Sequence, residues 1–204
     1  MARLTRAQQR EVTRQRLVDA AAQVFGRTGF EAAPIDLIAE EAGFSRGAFY
    51  SNFESKDDLF VALLGHHLDA EVETLGRALD RIQSPQDLAP AIERRYRVLG
   101  TDPGWCLLTT EFQLYGMRGG AKSAEFEQVY GSYRQRIGEL IARQFDRLGI
   151  QSPLSPYEFG ISAIALAHGL ALQRAVDPTL ADTLPGRALA AFVRGALSEQ
   201  PSAD

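Results

Sequence analysis

Cysteine is almost missing from this sequence. Cys106 is the only one in 204 residues, so neither a disulfide nor a C-x-x-C zinc site can form within the chain, and a reducing cytosol is the expected compartment. Long apolar runs are missing too. The longest, Ile161 to Leu172, includes Ser162, His168 and Gly169 and is too short to span a bilayer, so no membrane partner is expected. Arg3, Arg6, Arg10, Arg14 and Arg16 crowd the N-terminus with no apolar stretch among them, a pattern unlike a secretory signal. Val, Ile and Thr total 27 against 53 Ala plus Leu, and no segment alternates apolar and polar residues over six positions. Both facts argue against strands and for an all-α protein. Gly and Pro total 27, which excludes collagen-like and linker classes. No repeat, low-complexity block, G-x-S-x-G string or phosphate-cradling G-x-x-x-x-G-K-S/T string occurs.

What is present is ordinary for a globular chain: 45% hydrophobic and 24% charged residues, with a net charge of −4. A chain of this length buries enough surface to need no metal or disulfide for its core. The charge is unevenly spread. Residues 1–30 hold six arginines against Glu11 and Asp19, which describes a basic arm on an acidic body.

Nine helices are legible. The first runs from about Arg10 to Arg27, with Leu17, Ala20, Ala21, Val24 and Phe25 on one face, and Gly29 ends it. Pro34 opens a second with Ile35, Ile38, Ala39 and Ala42, closed by Gly43. Ser45 caps a third, Arg46 to Asn52. Ser55 and Asp58 form an S-x-x-D box that opens a long fourth helix reaching about Ile82. Ser84-Pro85, Asp102-Pro103 and Ser155-Pro156 each set a cap before a proline and open helices ending near Gly100, Met117 and Val176. Helices of about Ala121 to Leu148 and Thr183 to Ser198 complete the count.

Residues 35–52 carry the chemistry. Two short helices meet at Ala42-Gly43-Phe44-Ser45, the length and composition of a helix-turn-helix. In that arrangement the second helix offers its N-terminal residues to the major groove of DNA. Here that helix begins Arg46-Gly47-Ala48-Phe49-Tyr50. Gly47 weakens a helix but lets its backbone approach a partner closely. Lys56, a cation at a helix N-terminus, opposes the helix dipole and makes sense beside a phosphate.

The longer string from Thr13 to Leu64 resembles the N-terminal domain of the TetR family of bacterial transcriptional regulators. The resemblance rests on Ala20-Ala21, Phe25, Gly29-Phe30, Ile38-Ala39, Ala42-Gly43-Phe44-Ser45, Gly47-Ala48-Phe49-Tyr50, Phe53, Ser55-Lys56 and Leu59-Phe60. It implies a nine-helix, all-α regulator with a DNA-binding domain at 1–64 and an effector-binding and dimerisation domain at 65–204. It implies that Arg46, Gly47 and Ala48 meet base edges, with a phosphate or solvent as the alternative for Arg46. It places the Tyr50 hydroxyl and Lys56 on phosphates and Ser51 and Asn52 at variable contact positions. Arg3, Arg6 and Arg10 would follow the DNA backbone or minor groove. Two departures stand out. Ala33-Pro34 replaces a common Thr-Thr, removing a capping hydroxyl, and Asn52 replaces a common histidine.

Residues 157–172 are nearly all apolar, with small residues Gly160, Ala163, Ala167 and Ala171, and the last helix adds Ala188, Ala191, Phe192, Gly195 and Ala196. These faces suggest a self-complementary interface, and the resemblance implies a homodimer through the last two helices. In the middle helices, Trp105, Leu108, Phe112 and Tyr115 form one stripe and Glu111, Tyr115 and Arg118 another. With Tyr133 they are the candidate lining of an effector pocket that the resemblance implies, although position by position a plain core stripe with solvated Glu111 and Arg118 is the better reading. The expected partners are a roughly palindromic duplex operator, a small-molecule effector and a second copy of the chain; no cofactor or metal is expected. The competing classes are a helical protein-interaction module without DNA binding and a helical enzyme. For the latter, His66, His67 and Glu71 lack a further ligand nearby, and His168 sits alone in an apolar helix.

Overall fold

The computed structural model describes residues 5–97 and 103–198. Arg3, Gly100 and Asp102 lie outside the described residues, as does the side chain of Trp105. Among the described residues there are nine helices and no strand: α1 (Arg6–Thr28), α2 (Ile35–Glu41), α3 (Arg46–Tyr50), α4 (Lys56–Asp80), α5 (Pro85–Tyr96), α6 (Pro103–Arg118), α7 (Ser123–Leu148), α8 (Pro156–Val176) and α9 (Leu184–Ser198). They divide between two compact units, one of Met1–His67 with Leu107–Val129, the other of Leu68–Cys106 with Tyr130–Asp204.

In the first unit, α1 starts four residues earlier than its apolar pattern suggested. Thr5 Oγ1 accepts from the Gln8 backbone N–H at 3.2 Å, and Gln8 Oε1 accepts from the Thr5 N–H at 2.9 Å. This reciprocal capping box makes Arg6 and Arg10 of the basic arm part of a helix. The inward face is as expected, with Leu17, Ala20, Ala21, Val24 and Phe25 all buried. The helix α2 stops at Gly43, whose φ is +77°. There the Phe44 N–H reaches the Ala39 carbonyl at 2.8 Å and the Gly43 N–H reaches Glu40 at 2.9 Å, the double closure that an αL glycine permits. Ser55 Oγ caps α4 by accepting from the Asp58 N–H at 3.0 Å. Asp58 Oδ2 answers at the Glu54 N–H, 3.1 Å away, one residue before the cap.

The centre of this unit is aromatic. The Phe60 ring lies 5.4 Å from Phe25, 4.2 Å from Phe30, 4.5 Å from Phe112 and 5.3 Å from Tyr115. Tyr115 donates to Asp57 Oδ1 and accepts from the Lys122 N–H, both at 2.8 Å. Burial, first of all, pushes its phenol up to about 12.

In the second unit, α9 packs on α5 and α8. The α5–α9 approach is tight: a Cβ at Gly186 would lie 2.4 Å from the Glu93 carbonyl oxygen. Backbone cannot yield there as a flexible side chain would. Gly186→Ala is therefore expected to destabilise the protein by about 1–3 kcal/mol, read as a lowered denaturation midpoint; an unchanged midpoint would contradict the packing. Ser155 and Glu158 form a capping box at the start of α8. Ser84, expected to cap α5 in the same way, instead donates to Asp87 Oδ2 at 2.7 Å.

Candidate functional site

The helix α3 is held from three sides. Ser45 Oγ accepts from the Ala48 N–H at 3.3 Å. Arg46 forms an ion pair with Asp36 of α2 at 2.8 Å, and its guanidinium stands 5.6 Å from the Tyr50 ring centroid. The Tyr50 phenol first, and then the Asp36 carboxylate, raise the Arg46 pKa, so it is a permanent cation. Phe49 is fully buried and anchors the helix. From α1, Arg14 donates to the Asn52 carbonyl at 2.8 Å and covers the Phe53 ring at 4.1 Å.

The seven expected DNA-contacting residues separate into two groups. Arg46, Gly47, Tyr50 and Ser51 are exposed and Ala48 is half-buried; Tyr50 keeps 47% of its surface open. A Cβ on Gly47 would meet only Ser45 Oγ, at 3.7 Å. Asn52 and Lys56 are turned inward. Asn52 Nδ2 donates to the Ala48 carbonyl at 2.8 Å, beyond a helix that ends at Tyr50 and not at Asn52. Lys56 Nζ donates to the carbonyls of Phe30, Glu31 and Ala33 at 2.7, 2.9 and 3.2 Å. Three ammonium protons meet three acceptors. The unfavourable position of Lys56 at the start of α4 thus has an internal answer, the carbonyls of the α1–α2 connection.

The expected effector residues are not gathered into one place. Phe112 and Tyr115 belong to the aromatic core of the first unit, Glu111 is half-buried beside Gly29, and Arg118 is exposed. An amphipathic stripe specifies which residues face inward but not which interior they reach. Of the expected residues whose side chains are described, Tyr133 alone lines the cavity of the second unit. That cavity, about 60 Å³ measured at the centres of water-sized spheres, has walls from α4, α5, α7, α8 and α9. They are almost wholly apolar; Glu71, Tyr96, Tyr133 and Gln144 supply the polar groups. Glu71 is paired with Arg95 at 2.9 Å, and burial raises the phenol pKa values of Tyr96 and Tyr133, keeping both neutral. Gln144 was missed in the sequence. Its signal is a polar residue on the inward stripe Tyr133, Ile137, Ile141, Gln144.

The helix α8 is half-exposed, although a helix apolar all round is expected to be buried. Ala165, Gly169, Leu172 and Val176, spaced i, i+4, i+7, i+11, form one exposed stripe. Among the described residues, α8 is also the one helix long and apolar enough to cross a membrane by length and composition, a test that core helices of soluble proteins also pass. The same residues include no group of three His, Cys, Asp or Glu side chains placed to hold a metal. His66 lies against Gln15 Nε2 at 3.2 Å, and burial lowers the pKa of His168.

Residues 17–63 match the family model described as bacterial regulatory proteins, tetR family. The chain is 39% identical to the "Uncharacterized HTH-type transcriptional regulator TtgW" of Pseudomonas putida, over 42% of this chain and 74% of that one. It belongs to the TetR family. A further TetR-like relative is the HTH-type nicotine-responsive transcriptional repressor HdnoR of Paenarthrobacter nicotinovorans, 26% identical over 81% of this chain and 85% of the relative. Among solved structures, the transcriptional regulator FadR from Bacillus subtilis in complex with stearoyl-CoA superposes with a TM-score of 0.69 at 15% identity, covering 91% of this chain and 98% of that one. The all-α TetR fold is therefore established over both units, and the protein is a transcriptional regulator of the helix-turn-helix type.

Proposed function

We propose that the protein is a cytoplasmic homodimeric repressor that reads a roughly palindromic operator with α3 and leaves it when a small apolar molecule fills the cavity. The functional division falls near residue 64, with 1–64 reading DNA and 65–204 binding effector and dimerising. Arg46, Gly47 and Ala48 face base edges, Tyr50 faces a phosphate, and Ser51 keeps a variable contact position. Arg46 reaches DNA by exchanging its exposed pair with Asp36, which is weak in water. Asn52 closes α3 and Lys56 secures the α1–α2 loop; any phosphate contact by Lys56 requires one carbonyl to give way. No catalytic role is assigned to any residue. HdnoR is a nicotine-responsive repressor by name, which supports the repressor reading here.

The observation that carries the DNA reading is Gly47. A glycine on an exposed helix, where a Cβ would make only an ordinary contact with Ser45 Oγ, costs stability without any packing reason inside the protein. Close approach of an external partner supplies the reason. Gly47→Ala is expected to raise folding stability by about 0.5 kcal/mol and to weaken operator binding about tenfold, the size of a modest steric clash. Thermal denaturation and DNA titration measure the two. Unchanged DNA affinity would remove α3 from the interface.

The homodimer reading rests on the exposed apolar stripe of α8. A second copy would cover that stripe and set two α3 helices against two half-sites.

A further inference from the structure

We propose that the cavity selects an uncharged, elongated apolar molecule bearing one hydrogen-bond acceptor, and that Gln144 reads that acceptor; this rests on the effector-cavity reading above. The lining of α7 runs from Tyr133 to Phe145, about 18 Å at the rise of a helix, so that wall is long. Its two ends differ. At one, Glu71 and Arg95 already pair with each other at 2.9 Å, beside Tyr96 and Tyr133, and leave no net charge. An ionised ligand would lose its water there and find the charges of Glu71 and Arg95 already balancing each other.

At the other end stands Gln144, only 4% exposed. Its Oε1 accepts from Arg147 Nη2 at 2.7 Å, and Arg147 is itself fixed on the Leu79 and Ile82 carbonyls at the end of α4. That contact sets the orientation of the amide. Gln144 Nε2 is left buried with no hydrogen-bond partner on the wall of the cavity. A buried donor without an acceptor is costly and uncommon. A ligand carbonyl, ether or hydroxyl oxygen would satisfy it while the rest of the molecule lay along apolar walls.

Four eleven-carbon probes test this with the full-length protein: valerophenone, pentylbenzene, 5-phenylpentanoate and 5-phenylpentylammonium, each titrated against bound N-phenyl-1-naphthylamine by fluorescence. In Gln144→Leu and Gln144→Glu the affinity for valerophenone is expected to fall about tenfold, while that for pentylbenzene holds or rises. Gln144→Glu removes the donor and keeps an acceptor for Arg147, whose cation balances the added carboxylate, so it guards against a folding defect in the leucine variant. Equal changes for both neutral probes, or none, would overturn the role of Gln144 while leaving the cavity as the site. Charged probes binding as tightly as valerophenone would overturn the selection for uncharged ligands. Ala163→Phe, which fills the cavity, is expected to abolish all binding. Undiminished binding in that variant, or no displacement by either neutral probe in the unaltered protein, would instead remove the cavity reading itself.

Discussion

Leu172→Glu is expected to convert a dimer into a folded monomer and to reduce operator affinity by about 10²–10⁴-fold, the advantage that linking two half-sites gives. Leu172 is 38% exposed in a single chain and Val176, one turn on, is 78% exposed. A glutamate at 172 therefore reaches water in the monomer and costs it little. Between two copies the same carboxylate would be buried without a partner, at a cost of several kcal/mol. Ala167 is a poorer site for this test than the sequence suggested. At 4% exposure it belongs to the single chain's own core, and a charge there would unfold monomer and dimer alike. Sedimentation at micromolar concentration, far-ultraviolet circular dichroism and DNA titration together read the outcome. A Leu172→Glu protein that remains dimeric, or unaltered protein that sediments as a monomer, would exclude the α8 stripe as the interface.

Lys56→Met is the second large effect, and it separates two roles for one side chain. The ammonium bonds three carbonyls of the α1–α2 connection and lies 4.8 Å from the Phe30 ring. Charge-assisted bonds of this kind are each worth about 1.5–3 kcal/mol at most, less where water reaches them. Their joint loss is expected to destabilise the first unit by about 2 kcal/mol. Operator affinity should fall as the α1–α2 loop that leads into the helix-turn-helix loosens, yet the slope of log affinity against log salt should stay the same, because no phosphate contact is lost. A slope smaller by about one would instead assign Lys56 to a phosphate. Unchanged stability would contradict the carbonyl contacts.

Local chemistry was the legible part of this chain. Apolar spacing gave the inward face of α1, Gly43 gave the stop of α2, and Ser45, Ser55 and Ser155 gave caps. Each of these depends on neighbours within five residues, which a sequence displays directly. The early start of α1 was hidden because Thr5 and Gln8 precede the apolar pattern, although T-x-x-Q is itself a cap signal. The candidate site was less legible. The exposed face of α3 followed from the family string, but the inward turn of Asn52 and Lys56 depends on Ala48 and on carbonyls more than twenty residues away. The same limit applies to the expected effector residues. Phe112 and Tyr115 are interior, as their periodicity requires, but they pack on Phe30 and Phe60. Which interior they enter is decided by long-range packing that no stripe encodes.

Sequence-specific recognition of duplex DNA by α3 is tested most directly by selecting binding sites from a random duplex pool with the purified protein and with Arg46→Ala, then titrating the selected site against salt. The expected result is an inverted repeat with half-site centres about 34–36 Å apart, or a multiple of that turn, and an affinity that falls linearly with salt on logarithmic axes. Arg46→Ala should relax the preference at one position in each half-site by about 1–3 kcal/mol. A pool that enriches no sequence, bound no more tightly than random DNA, would contradict it.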